Sequence, residues 1–148
     1  MEQTFLTTLD LCYCGGINLD FIVVPDIMAS GKRSLDFSLE WATGRLKTAP
    51  NLALAVQDGL EPHDVAPHLG LFTHLFVGGS VEWKWSTVGQ WVELAHSKGL
   101  KCHVGQVGKL DRLELCESLR VDSIDSTSWP VNSSWHIVEA FTAGKRLF

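Results

Sequence analysis

The chain has 148 residues, 45% of them hydrophobic and 20% charged, with a formal net charge of -5. That composition suits one globular domain with a real core and excludes a disordered, collagenous or coiled-coil chain. The acidic balance also excludes the basic footprint of a protein that binds mainly through phosphates, so a nucleic-acid partner would have to meet a local patch.

Near the N-terminus, Phe5, Leu6, Leu9 and Tyr13 can form the apolar stripe of a short helix stopped by Gly15 and Gly16. Residues 1–18 are therefore read as an N-terminal helix or extension. Leu19 to Asp26 is a β-branched apolar run that halts at Pro25 and delivers Asp26 to a strand's end. Ser34 is placed to cap the helix whose face carries Leu35, Leu39, Ala42 and Leu46. Leu52 to Val56 is a second strand, delivering Gln57, Asp58 and Gly59; a short helix from Glu61 to Leu69 follows. His74 to Val77 is a third strand, ending in Gly78, Gly79 and Ser80.

Glu82-Trp83-Lys84-Trp85 reads as a tryptophan-rich loop leading into a helix with Val88, Trp91, Val92 and Ala95 on one face and Gly99 as its stop. Lys101 to Val104 is the fourth strand, ending in Gly105 and Gln106, and Leu110, Leu113 and Cys116 mark the next helix. The fifth strand opens at Val121. There Asp122 and Ile124 point one way while Val121, Ser123 and Asp125 point the other, so only one acid can face a site at the strand's mouth. Residues 19–128 thus form a β-α series, and 129–148 a closing helix and tail with Trp135 to Phe141 helical.

This alternation implies a parallel sheet, either a small open doubly wound sheet or about five strands of an eight-stranded (β/α) barrel. The partial barrel is favoured, because every strand end carries a polar or glycine signature. A doubly wound sheet would concentrate its signature at one switch point. Two carboxylates and an amide at one mouth suit a planar hydrogen-bonding ligand, with one acid left for nucleophilic or acid/base work. Trp83 and Trp85 around Lys84 could stack a base and neutralise a phosphate, and Gln106 and Lys109 could touch a nucleic-acid backbone. Blander roles fit as well: a strand-end aspartate can cap a helix, a glycine pair can serve a turn, and tryptophans can pack as a lid.

No apolar run approaches the ~18 residues of a membrane span, and the N-terminus lacks the basic flank of a secretory signal, so a cytoplasmic location is expected. Cys12, Cys14, Cys102 and Cys116 lack zinc-module spacing, and Cys102 and Cys116 are read as small buried hydrophobes. No metal site is expected.

Pro25-Asp26, Ala55-Val56-Gln57-Asp58-Gly59, Phe76-Val77-Gly78-Gly79-Ser80 with Glu82-Trp83-Lys84, His103-Val104-Gly105 and Asp122-Ser123-Ile124-Asp125 follow one another from about Leu19 to Thr127. In that order they resemble the tRNA-guanine transglycosylase superfamily, nearest its deazapurine DNA-modification branch of phages and bacteria. The resemblance implies strands four to eight of a barrel that exchanges guanine in DNA or tRNA for a 7-deazaguanine base. It implies Asp125 as the nucleophile toward the sugar C1′, and Asp26 and Gln57 as readers of the base edge. Gly78 and Gly79 match the pair that meets the base carbonyl through backbone N–H, and His103 falls among the substrate-binding motifs. An Asp-Ser-Gly-Gly motif with a second catalytic acid has no counterpart before Leu19, the zinc site of the tRNA-modifying relatives is absent, and Gln106 stands where the DNA branch has arginine. No cofactor is implied. The expected partners are the nucleic acid, the free base, and a second copy or an upstream polypeptide that completes the barrel. The alternatives are a non-catalytic or split-enzyme fragment that keeps the base pocket, and a small barrel enzyme binding a sugar phosphate at Gly78 and Gly79.

Overall fold

The computed structural model describes residues 2–143. A sheet of five parallel strands, in the order β1-β2-β3-β4-β5, lies at its centre. The strands are β1 (Ile22–Val23), β2 (Leu52–Val56), β3 (His74–Val77), β4 (Lys101–Val104) and β5 (Ser123–Ile124). Around them lie α1 (Glu2–Cys14), α2 (Gly31–Thr43), α3 (Pro62–Val65, extended by a 3-10 turn over Ala66–Leu71), α4 (Val81–Ser97), α5 (Leu110–Ser118), α6 (Ser128–Val131) and α7 (Trp135–Ala143). Sequential strand order leaves no switch point at which a doubly wound sheet would reverse. The chain forms an open half-barrel, the partial α/β barrel expected from its alternation.

The pleat divides the strand residues into two sets. Leu54, Val56, Leu75, Val77, Cys102 and Val104 turn toward the helices and join Leu35, Trp41, Trp91, Val92 and Leu113 in one core. Removing a buried Leu or Val side chain from water contributes roughly 1.5–3 kcal/mol, so this layer supplies most of the drive to fold. On the concave face the register sets Ala53 beside His74 and Phe76 beside His103, with His103 beside Ser123. Phe21, just before β1, reaches His74 (ring centroids 4.6 Å) and also His103 on β4 (5.2 Å). In a flat sheet, β1 and β4 would lie roughly 14 Å apart with two strands between them. Strong curvature alone lets these rings touch.

Local chemistry revises several boundaries. β2, β3 and β4 begin and end where the apolar runs do, but β1 and β5 pair over two residues each, much less than their sequence runs. Ser34 is no cap: α2 starts at Gly31, and the buried Ser34 hydroxyl accepts the Ile27 N–H at 2.9 Å, fixing the loop after β1. Glu82, Trp83, Lys84 and Trp85 lie in the first turns of α4 instead of a loop. Ser80 holds the extended conformation of an N-cap and accepts the Trp83 N–H at 3.4 Å, so the helix starts earlier than the tryptophan cluster suggests. The N-terminal helix ends at Gly15 and Gly16 as expected, with Gly16 at φ +70 and the Ile17 N–H returning to the Cys12 carbonyl at 2.9 Å. At the other end, the expected closing helix is α7, preceded by the short α6; residues 144–148 of the tail lie outside the described residues. Among the described residues no helix is long and apolar enough to cross a membrane.

Candidate functional site

At the carboxyl ends of the strands, hydrogen bonds tie each rim segment to its neighbour. The Ala29 N–H, in the loop after β1, donates to Gln57 Oε1 at the end of β2 (2.7 Å). Asp58, next along, accepts the Ser80 N–H at 2.7 Å and the Ser80 hydroxyl, which joins the β2 end to the start of α4. The Ser80 hydroxyl is the main cause that holds the Asp58 carboxyl below the ordinary carboxylate range. Lys84 on α4 donates to the Gly105 carbonyl after β4 (2.6 Å). Gln106 N–H donates to Asp125 Oδ1 (2.9 Å) and Val107 N–H to the Asp125 carbonyl (2.7 Å), which joins the β4 end to β5.

Asp125 has the fullest set of partners at this rim. Its second carboxylate oxygen, Oδ2, lies 3.0 Å from His103 Nε2, and its side chain is 47% exposed. His103 is buried, and its other ring nitrogen lies 2.8 Å from the Ser123 hydroxyl. Phe76 stacks on the same imidazole at 4.8 Å. Ser123 and Phe76 therefore fix the ring, and the ring and the Gln106 N–H fix the carboxylate, which keeps solvent contact. A held yet open carboxylate suits nucleophilic attack on an electrophilic carbon or acid/base work on a bound ligand.

Asp122 stands on the other face, as strand alternation requires. Its Oδ2 accepts the Cys102 N–H at 2.7 Å and lies 2.9 Å from His96 Nε2 on α4. Burial pushes this carboxyl up, but the Cys102 N–H and His96 outweigh it, and the net shift is downward. The group is a structural brace on the helix side.

The other candidates are spread around the rim. Gln57 is buried with its carboxamide oxygen occupied by the Ala29 N–H, which leaves its NH2 group as the donor not used in that contact. Asp26 is exposed at the rim and lines an apolar cavity of about 590 Å³ with Phe5, Val23, Phe37 and Trp41, between α1, β1 and α2. Desolvation by that crowded surround raises its carboxyl above the ordinary value, against a backbone hydrogen bond that lowers it. No hydrogen bond joins the Asp26 and Gln57 side chains among the described residues. Gly78 commits its N–H to the Val56 carbonyl at 3.1 Å, so of the glycine pair only Gly79 could offer an N–H. Gly79 is at φ +81, and a Cβ there would stand 2.6 Å from Asp58 Oδ2 and 2.7 Å from the Trp83 ring, so the turn itself demands this glycine. A Cβ on Gly78 would meet nothing closer than 3.6 Å.

Trp83 packs toward Trp91 at 5.9 Å, and Lys84 is 2% exposed with its ammonium on Gly105. Lys84 therefore presents no free surface for nucleic acid, whereas Trp83 is half-buried. A cavity of about 440 Å³ beside the rim instead collects Trp85, Gln106, Lys109 and Arg112, with the Arg112 guanidinium 4.9 Å from the Trp85 ring. Asp58, Ser123 and Phe76 were missed as positioning residues. Period-two alternation places Ser123 and Phe76 on the face of Asp125 and His103, and that signal alone could have found them. Cys102 and Cys116 are buried, their thiols pushed up by desolvation to about 12 and about 11, so they behave as small hydrophobes. Among the described residues, no cluster of three or more His, Cys, Asp and Glu side chains is placed to hold a metal.

Compared with protein-family models, with curated proteins and with solved structures, the chain has no significant match in any of the three.

Proposed function

We propose that the chain is the catalytic half-barrel of a base-exchange transglycosylase that replaces guanine in DNA or tRNA with a 7-deazaguanine base. The observation that carries this reading is the Asp125 carboxylate, on the concave side at a strand mouth, held by the Gln106 N–H and His103 and still open to solvent. In the proposed reaction, an Asp125 oxygen bonds to the sugar C1′ as the bond from C1′ to guanine N9 breaks. The electron pair leaves with the base, which takes up a proton. The deazaguanine, losing its own N9 proton, then attacks C1′ and releases the carboxylate. Carboxylates suit this work because they stabilise a developing oxocarbenium ion and form a covalent ester that a second nucleophile can displace. The Gln57 NH2 group and the Gly79 N–H would donate to the base carbonyl, and Asp26 would accept from its N–H edge. The cavity with Trp85, Lys109 and Arg112 supplies the local cationic and aromatic patch that an acidic chain needs to hold a nucleic-acid strand.

Incubation with guanine-containing DNA or RNA, denaturation and intact-mass measurement tests the proposal. The expected product is a covalent adduct that Asp125→Ala abolishes and Asp122→Ala retains. The reverse pattern would overturn the assignment.

A second reading draws on the sheet's margins. β1 and β5 each pair on one side only, so the same chain could serve as a base-binding unit whose barrel is completed by another polypeptide or a second copy. In that case 7-deazaguanine binds and Gln57→Ala or Asp26→Ala weakens it, but no adduct forms until the completing chain is added.

A further inference from the structure

A buried lysine in the first turn of a helix is an unusual choice. The helix N-terminus carries the positive end of the macrodipole, and taking an ammonium out of water is costly unless its hydrogens are used. Lys84 sits at this position in α4, 2% exposed, and among the described residues its ammonium makes one hydrogen bond, the short one to the Gly105 carbonyl (2.6 Å). Trp85 flanks the ammonium at 5.6 Å. The peptide that Lys84 grips also holds Asp125. The Gly105 carbonyl and the Gln106 N–H belong to one planar trans unit and point in opposite directions, and this N–H donates to Asp125 Oδ1 at 2.9 Å.

We infer that Lys84 is the positioning residue of the Asp125 carboxylate, acting through the peptide between Gly105 and Gln106. The ammonium, the carbonyl, the N–H and the carboxylate form a chain in which each dipole polarises the next, and such chains strengthen in a low-dielectric interior. A positive charge at the carbonyl oxygen draws electron density from the amide and makes its N–H a better donor. The carboxylate is thereby fixed in one rotamer while its second oxygen rests on His103. The local backbone needs such a hold. Gln106 is at φ +59, a left-handed conformation that a side chain disfavours, and a Cβ on Gly105 would stand 2.7 Å from Phe76 Cζ. Lys84 thus anchors a strained peptide in the orientation that serves Asp125.

Burial moves the Lys84 ammonium downward from its ordinary value, while the charges of Asp125 and Cys116 oppose the change. Arg112, its guanidinium 4.9 Å from the Trp85 ring, and Lys109 are the other cations lining the cavity on this side. The relay concerns the carboxylate whatever it attacks, and only its catalytic meaning rests on the base-exchange reading.

The test uses the full chain labelled with 15N and 13C, titrated from pH 5 upward while the Gln106 amide and the Lys84 Cε resonance are followed. The Gln106 amide proton is expected to move upfield in a step that shares its midpoint with the Lys84 Cε signal. Following the Cε signal itself separates this step from the Cys116 thiol, which is pushed to about 11. A Gln106 amide that does not respond where Lys84 titrates overturns the relay, and this measurement needs no variant to fold. In Lys84→Met, the rate of adduct formation is expected to fall about 100-fold with the affinity for 7-deazaguanine unchanged. A folded variant with the parent's rate overturns the inference too. If the parent itself forms no adduct, the base-exchange reading fails, and the Gln106 titration still decides the relay.

Discussion

Removing the Asp122 carboxylate would strand the Cys102 N–H and release His96 from β5, which joins the sheet through only two residues. Asp122→Ala is expected to lower stability by about 1–3 kcal/mol in urea denaturation, the cost of leaving a buried donor unpaired. Because the folded carboxyl is held below its unfolded value, this stability is present above an unfolded pKa of about 3.9 and is lost as pH falls through the lower folded value. His74 gives the complementary case. It is buried, Nε2 has no hydrogen-bond partner among the described residues, and desolvation moves its pKa downward against the pull of Asp20 and Asp122 and with Lys101 and His103. The unfolded chain therefore takes up this proton first. Stability should be full above about pH 6.5 and decline as pH falls toward the folded pKa, levelling below it. Urea midpoints at pH 7.5 and 5.5 should differ by less in His74→Gln than in the parent; an unchanged difference would count against His74 as its source.

At the scale of elements, the joint between β3 and α4 carries the sharpest local prediction. Gly79→Ala forces a side chain into a left-handed turn and into Asp58 and the Trp83 ring, so a loss of more than about 1 kcal/mol is expected. Gly78→Ala has room and should stay within about 0.5 kcal/mol of the parent; denaturant midpoints of the two variants compare them directly. The same joint marks how far the sequence could be read. Strands β2, β3 and β4 were legible because their apolar runs are bounded by turn residues, and Asp125 and Asp122 were legible as a pair on opposite faces because a strand has period two. The start of α4 was not, since two tryptophans and a lysine in one run look like exposed contacts. What decides the matter is tertiary: Asp58, distant in sequence, fixes the cap residue Ser80, and the strand end after β4 offers Lys84 an acceptor. Burial of a long cationic side chain depends on such a partner, and no spacing rule reveals it.

For the whole molecule, the decisive geometry is that of an open sheet whose first and last strands pair on one side only. Their brevity limits random edge pairing, but the outer edge of β1, beside an apolar cavity, has no strand partner among the described residues. Concentration-dependent self-association is expected in sedimentation velocity. A charge placed at this edge, Val23→Lys, should weaken it, and a monomer at all concentrations with no affinity for other chains would sink the idea. The core beneath the sheet is a separate matter. Trp91 is fully buried with its Nε1 on the Thr87 hydroxyl at 3.2 Å, and Trp91→Ala should cost about 3–5 kcal/mol.

Phe21 has a consequence that reaches past packing. The hydrogen-bonded ladder joins each strand only to its neighbours, whereas this one phenyl ring bridges from the first strand to His103 on the fourth. Without it the ladder could relax toward a flatter sheet at little loss of hydrogen bonding, carrying the rim of β1 and β2 away from that of β5. Under the proposed base exchange, a base held at Gln57 and a sugar carbon awaiting Asp125 would have to meet within near-attack distance, and the rate gained from such pre-alignment is counted as effective molarity. On this reading a single aromatic side chain, far from any bond made or broken, sets how often two bound reactants find each other.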